Sequence, residues 1–244
     1  MLQAVGVIPA RYRSVRFPGK VLADLQGKTM IEHVYRRAKK ARSLARVLVA
    51  ADDDRICVAV EKFGGDAMLT SREHASGTDR VAEVAAGMDA PLWVNIQGDE
   101  PLVDPQDIDA LVEALRSHGR TGMATLRRPI ETDEDFHSPH VVKVVVNDAG
   151  EALYFSRSPI PYPRGETRTF GFRHVGLYAY RRELLLKMAA TSRTRLESVE
   201  GLEQLRVLEM GYGIRVLDAV GDSIGVDVPE DLERVRARLM ESAG

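Results

Sequence analysis

Short apolar runs alternate with segments of helical period through the first half of the chain. Residues 5–10 (VGVIPA) form a continuous apolar run of strand length, the pattern of a strand covered on both faces. Residues 30–41 place Ile31, Val34 and Ala38 on one face of a helix. The pattern continues with a strand at 46–51 (RVLVAA), a helix at 55–63, a short strand at 66–69, a helix at 78–86, a strand at 92–97 (LWVNIQ) and a helix at 105–115. Such alternation predicts βαβ units and a mostly parallel sheet, with ligands at the carboxyl ends of its strands.

The rhythm then changes. Residues 141–147 (VVKVVVN) and 152–156 (ALYFS) flank Asp148-Ala149-Gly150, a turn signal that predicts a hairpin. Residues 158–165 (SPIPYPRG) carry three prolines and read as irregular loop. A strand at 175–180, a helix at 199–210, a strand at 214–220 and a closing helix at 230–240 complete the pattern. The expected fold is α/β and Rossmann-like: a mostly parallel central sheet with an inserted antiparallel hairpin elaboration. The expected organisation is a single domain over 1–244, elaborated over about 140–210.

The chain has 244 residues, 44% hydrophobic and 29% charged, with a formal net charge of −2. That balance supplies no global basic field for nucleic acid. Cys57 is the only cysteine, so no intrachain disulfide forms, which fits a reducing compartment. No apolar run approaches the length of a membrane span. A soluble, cytoplasmic protein without membrane or nucleic-acid partners is expected.

The candidate chemistry starts where the first strand ends. The next residues carry Arg11, Arg13, Arg16 and Lys20, with Gly19 just before the lysine. A strand opening into a cationic, kinked loop suits a polyphosphate. A Walker A frame ending at Lys20 requires glycine at 14 and a hydroxyl residue at 21, and the chain has Ser14 and Val21. The hydroxyl that holds magnesium in that motif is missing, so a metal nucleotide here needs carboxylates from elsewhere. Asp99, in Gln97-Gly98-Asp99-Glu100-Pro101, follows a strand and reads either as a hard metal ligand or as a turn acid. Asp227, in Gly225-Val226-Asp227-Val228-Pro229-Glu230, reads by itself as a helix cap. Paired with Asp99 it supplies the missing metal site.

Other residues carry weaker signals. Ser76, Gly77 and Thr78 read first as a helix start. Asp52-Asp53-Asp54 reads as a strand-end turn that caps the following helix. Arg157, between an apolar strand and the proline loop, suits a carboxylate ligand. His174 precedes an apolar strand, Glu203 and Gln204 read as a solvated helical face, and Trp93 reads as core.

IPARYRSVRFPGK, SGTDR, NIQGDEP, ALYFSR, RHVGLYAY, LEQLRVLEMG and GVDVPEDLERVR stand here in the order seen in 3-deoxy-manno-octulosonate (Kdo) cytidylyltransferases, and the chain resembles that family from about residue 4 to 239. The resemblance implies a sheet of the nucleotidyltransferase type and transfer of CMP from CTP to Kdo with Mg²⁺, giving CMP-Kdo and pyrophosphate for lipopolysaccharide synthesis. It implies that Arg11, Ser14, Arg16 and Lys20 hold the CTP phosphates, that Asp99 and Asp227 bind the metal beside Lys20, and that Ser76, Gly77, Thr78, Arg80 and Gln97 line the nucleotide pocket. It places Arg157, His174, Tyr178, Glu203 and Gln204 on the sugar side and implies a homodimer formed through the middle section. Two departures stand out: the stretch 159–173 is shorter than in some relatives, and Gly201 replaces a larger apolar residue inside the expected 199–210 helix, which predicts close packing there. The alternatives are the same chemistry on 8-amino-Kdo or another acidic sugar, and a non-catalytic nucleotide-binding regulator.

Overall fold

The computed structural model describes residues 3–14, 17–118, 121–165 and 171–241. In chain order it begins with β1 (Ala4–Ala10), a 3₁₀ turn (Lys20–Leu22), β2 (Asp24–Leu25), β3 (Lys28–Thr29), α1 (Met30–Ala38), β4 (Leu44–Ala51) and α2 (Asp54–Lys62). Next come β5 (Ala67–Leu69), α3 (Gly77–Ala86), β6 (Leu92–Asn95), α4 (Pro105–Ser117), β7 (Met123–Pro129), α5 (Asp133–His137), β8 (Lys143–Val146) and β9 (Ala152–Ser156). The chain finishes with β10 (Phe172–Arg181), α6 (Arg182–Ala190), α7 (Arg195–Glu200), α8 (Gln204–Glu209), β11 (Ile214–Asp218) and α9 (Pro229–Glu241). Two compact units form: residues 1–109 with 220–244, and residues 110–219.

In the first unit the parallel strands lie in the order β6-β1-β4-β5. The apolar run of β1 is buried along almost its whole length because it is an inner strand, and Val7, Ile8, Val49 and Trp93 are fully shielded from water. Each such side chain contributes about 1.5–3 kcal/mol by burial. Trp93 is core, as its sequence context predicts, and its Nε1–H donates to Ala90 O at 2.8 Å. Register fixes the location of the chemistry. Ala10 of β1 lies opposite Ala51 of β4, and Val7 lies opposite Asn95 of β6. The loops that start at residues 11, 52 and 96 therefore leave the same edge of the sheet.

The second unit is mainly antiparallel. β10 pairs antiparallel with β7 and β8, β8 pairs antiparallel with β9, and β11 joins β7 in parallel. The hairpin of β8 and β9 forms as expected. Gly150 takes the left-handed conformation (φ 74°) and donates to Asn147 O at 2.9 Å. Three elements, β7, α5 and α6, fall where the hydrophobic pattern assigns none. The expected helix over 199–210 is two helices. Gly201 ends α7 at φ 65°, ψ 40°, and its N–H donates to Glu197 O at 2.8 Å. It is a left-handed C-terminal cap. The expected close packing is absent: a Cβ built there meets nothing within 4 Å.

Candidate active site

A cleft of about 440 Å³ opens at the carboxyl edge of the parallel strands in the first unit. Arg11, Arg13, Ser14 and Lys20 line it from the loop after β1, Gln97, Gly98 and Asp99 from the loop after β6, Gly77 from the start of α3, and Asp227 from the segment before α9. The charged groups converge. Lys20 Nζ donates to Asp99 Oδ2 at 2.6 Å, to Val226 O at 2.8 Å and to Asp227 Oδ1 at 3.2 Å. Two carboxylates 128 residues apart in sequence (227 − 99) thus face one ammonium.

Local structure explains this convergence. Gly98 has no room for a side chain, since a Cβ built there lies 2.8 Å from Pro9 O, so the loop after β6 passes hard against the end of β1. Asp99 O accepts the N–H of Val226 at 2.9 Å, and the Val226 side chain is fully buried. This pins the otherwise irregular strap before α9 and presents Asp227. Upstream, the Asp107 carboxylate accepts the N–H groups of Val220 and Gly221 at 2.8 and 3.0 Å. At the start of α9, Asp231 accepts the N–H groups of Asp227 and Val228 at 3.0 and 3.2 Å. Asp227 itself turns Oδ1 toward Lys20, away from a purely capping role.

Among the described residues, Arg11, Arg13 and Ser14 make no side-chain hydrogen bond to the protein, so the cleft presents two guanidinium groups and a hydroxyl to a ligand. Arg16 lies outside the described residues. The segment 76–80 is built as its helix-start pattern predicts. Ser76 Oγ accepts Asp79 N–H, and Asp79 Oδ2 accepts Ser76 N–H, both at 3.1 Å. Gly77 brings this helix start against Pro9, at 3.2 Å from a built Cβ. Thr78 is buried beside Asn95. Arg80 is wholly buried and donates to Ser71 O at 2.9 Å, while its Nε and Nη2 have no hydrogen-bond partner among the described residues. Burial depresses its pKa.

The five remaining candidates all lie in the second unit. His174, expected just before a strand starting at 175, lies inside β10, which starts earlier, at Phe172. A register shift between Val175 and Tyr178 turns the two rings toward each other, 5.4 Å apart. Thr125 Oγ1 lies 2.9 Å from His174 Nε2, Phe155 packs edge-on against the imidazole at 5.0 Å, and desolvation pushes the His174 pKa down to about 3. Arg157 is committed to the backbone: Nε donates to Glu200 O at 2.8 Å and Nη1 to Pro139 O at 2.9 Å. Glu203 precedes α8 and Gln204 opens it, and Gln204 is buried. The buried Glu197–Arg206 pair holds α8 against α7, with Arg206 Nε 2.7 Å from Glu197 Oε2. Burial raises the Glu197 pKa, but the Arg206 and Thr194 hydrogen bonds outweigh it and leave it lowered. Of the stretch 159–173, expected to be shorter than in some relatives, residues 166–170 lie outside the described residues.

Sequence reading missed the role of Lys143. Its fully buried side chain donates to the carbonyls of Ser138, Val141 and Arg157 at 2.8, 2.6 and 2.6 Å. Its apolar neighbours hid it, and a lysine inside the run VVKVVVN was the available signal. Arg13 was read as part of the cationic loop without being singled out for the cleft.

A parallel α/β sheet whose first strand opens into an arginine loop facing two carboxylates, one after β6 and one before α9, defines a nucleotidyltransferase. A family model described as Cytidylyltransferase matches residues 5–216. A 3-deoxy-manno-octulosonate cytidylyltransferase of Geotalea uraniireducens is 51% identical over 249 aligned residues, spanning 98% of this chain and 99% of that protein. One of Syntrophobacter fumaroxidans is 52% identical over 247, spanning 99% of each. The solved structure of CMP:2-keto-3-deoxy-manno-octonic acid synthetase complexed with CTP superposes with a TM-score of 0.94 at 46% identity, covering 98% of this chain and 99% of that one. The chain belongs to the 3-deoxy-manno-octulosonate cytidylyltransferase family.

Proposed function

We propose that this protein transfers CMP from CTP to the anomeric 2-hydroxyl of Kdo, releasing pyrophosphate. The observation that carries the reading is the cleft itself, where Asp99, Asp227 and Lys20 meet beside Arg11, Arg13 and Ser14. In the reaction the sugar hydroxyl gives its proton to solvent as its oxygen forms a bond to the α-phosphorus, the bond from that phosphorus to the bridging oxygen breaks, and pyrophosphate leaves with the electron pair. A weak nucleophile approaches an anion, so charge compensation and alignment dominate the barrier. Arg11 and Arg13 hold phosphoryl oxygens, Ser14 donates its hydroxyl, and Lys20 stabilises charge on the departing pyrophosphate. The neutral ring of His174 serves as a hydrogen-bonding wall of the sugar site with Tyr178 beside it, and Glu203, Gln204 and Arg157 are the further residues assigned to the sugar side.

The donor set fits Mg²⁺. Asp99 Oδ2 and Asp227 Oδ1 already converge on one cationic nitrogen, and no group of three or more His, Cys, Asp or Glu side chains among the described residues offers a protein-only cage. One or two carboxylates completed by substrate phosphates is the usual magnesium arrangement. Bound there, the ion neutralises phosphoryl charge and lowers the pKa of the attacking hydroxyl.

The product feeds lipopolysaccharide synthesis, in a reducing compartment that suits the free Cys57. No helix among the described residues is long and apolar enough to cross a membrane. The proposed assembly is a homodimer through the second unit, where Leu153 on β9 and Val199 on α7 are exposed apolar side chains. Pyrophosphate release from CTP and Mg²⁺ with Kdo, 8-amino-Kdo and sialic acid tests the function. Release with Kdo above the others is expected. Release with no sugar in the panel overturns the reading.

A further inference from the structure

Beside the cleft lies a second cluster of charge that no step of the reaction uses. It is built around Tyr12, the residue between Arg11 and Arg13. Tyr12 N–H donates to Asp52 Oδ1 at 2.8 Å, across 40 residues of sequence. Tyr12 O accepts the N–H of Gly19 at 2.9 Å. The backbone of Tyr12 is therefore held on one side by the turn after β4 and on the other by the far end of its own loop. The ring is held too. The Arg55 guanidinium carbon lies 3.5 Å from the ring centroid. Gly19, left-handed at φ 72°, lies against the ring, with its built Cβ 3.5 Å from Tyr12 Cζ.

The clamp is itself braced. Arg55 donates Nε and Nη2 to the two oxygens of Asp53, each at 2.8 Å, in a bidentate pair. Asp53 also accepts Arg55 N–H at 3.0 Å as the cap of α2, so the guanidinium is fixed to the helix that carries it. That pairing holds the Asp53 carboxyl well below the usual carboxylate range. Arg72 Nε donates to Asp52 O at 2.9 Å, and Asp52 N–H donates to Ala10 O at 3.2 Å. The Asp52 carboxylate is thus delivered to Tyr12 by a turn tied to the last residue of β1.

We infer that Asp52 and Arg55 are positioning residues for nucleotide binding: they clasp the backbone and ring of Tyr12, and so fix the directions in which Arg11 and Arg13 enter the cleft. The inference rests on the reading of Arg11 and Arg13 as phosphate ligands. Its physical basis is pre-organisation. Among the described residues the arginines make no side-chain hydrogen bond, so the backbone between them is what limits their search before the nucleotide arrives. An ordered root lowers the conformational cost of binding without altering the chemical step. A turn that only capped α2 would need Asp53, and would need neither the Asp52 contact to Tyr12 nor a guanidinium over its ring.

Steady-state kinetics on the full-length enzyme, with CTP and Kdo varied separately, test this. Arg55→Ala is expected to raise the CTP KM about two- to fivefold, the worth of an exposed cation over an aromatic ring. The sugar KM, kcat and Tm stay near the parent values. Asp52→Ala is expected to raise the CTP KM about tenfold, through loss of a charge-assisted bond. Arg55→Lys, which keeps a cation over the ring, loses less than Arg55→Ala. In a Tyr12→Leu background, Arg55→Ala adds no further loss. Arg11→Ala and Arg13→Ala separate the two levels of the argument. If neither raises the CTP KM, the phosphate-ligand reading falls. If they raise it while Arg55→Ala and Asp52→Ala do not, the positioning role is overturned and the ligand reading stands. A parallel loss of kcat, both KM values and Tm in Arg55→Ala also overturns it, because the clasp then only supports the fold.

Discussion

In the cleft of the first unit, Arg11 and Arg13 donate to no other described side chain or carbonyl, and the ammonium of Lys20 is shared between two carboxylates and one carbonyl. In the second unit, Lys143 gives its donors to three carbonyls and Arg157 gives at least two of its own to carbonyls. The first arrangement leaves charge available to a highly charged ligand. The second consumes charge to hold backbone that neither a helix nor a sheet ladder satisfies. Identical residue types therefore do opposite work: the arginines differ in whether they have internal acceptors, and the lysines in whether those acceptors include cleft carboxylates or are backbone carbonyls alone. A lysine or arginine near a pocket is evidence of ligand binding only after its existing partners have been counted.

The contrast is sharpest at the carboxylates. Asp99→Asn and Asp227→Asn are each expected to lower kcat by about two orders of magnitude or more, on the scale of losing one electrostatic partner of the transition state, with Tm within a few degrees of the parent. Turnover and thermal melts read this directly. An Asp227→Asn protein that stays active and melts early would move that residue into the structural group. The reverse signature is expected at Lys143. Lys143→Met leaves the carbonyls of Ser138, Val141 and Arg157 without their donor and costs about 2–4 kcal/mol, measured by urea unfolding. A stable but inactive variant would break the contrast.

His174 gives a comparison that pH can resolve. Its folded pKa is about 3, against about 6.5 for a free imidazole. Between those values the unfolded chain binds the extra proton. Its contribution to stability is therefore complete above about pH 6.5 and declines on acidification, by up to about 1.4 kcal/mol per pH unit, until about pH 3. The difference in unfolding free energy between pH 7 and pH 5 should shrink in His174→Gln. An unchanged difference would show that the imidazole is solvated and free to titrate. The smallest effect is expected at Gly201, where Ala costs about 1 kcal/mol through the left-handed backbone alone. A larger loss in denaturant melts would restore the packing role that the structure removes.

The parallel half of the fold was legible because its strands are covered on both faces and so appear as unbroken apolar runs. β1, β4 and β6 start or end within two residues of the runs that mark them. The cleft was legible for a chemical reason: a cationic loop lacking the Walker hydroxyl demands carboxylates, and both candidates line it, although Asp227 reaches it from an irregular segment rather than from a strand end. β7 was not legible, since MATLRRP changes from apolar to cationic halfway along. The break at Gly201 is a matter of φ, which apolar spacing does not encode. The partners of Arg157 and Lys143 are carbonyls, and a carbonyl has no sequence signature. The Tyr12 clasp joins two segments that are individually ordinary: a tyrosine in an arginine loop and a run of aspartates that reads as a turn.

Lys20 also sets an order of events during synthesis. Its bond to Asp99 spans 79 residues, and its bond to Asp227 spans 207. Domains fold from the amino terminus as the chain emerges, and contacts between distant residues must await closure of the loop between them. The first carboxylate is available to Lys20 once residue 99 has emerged, whereas the second must await residue 227. Until then the cleft is half built: it has its arginines and one acid, and a lysine with a single carboxylate partner. A chain cut short anywhere before residue 227 carries the cationic loop and Asp99 but lacks the second carboxylate of the cleft, so synthesis must pass Asp227 before the cleft is complete.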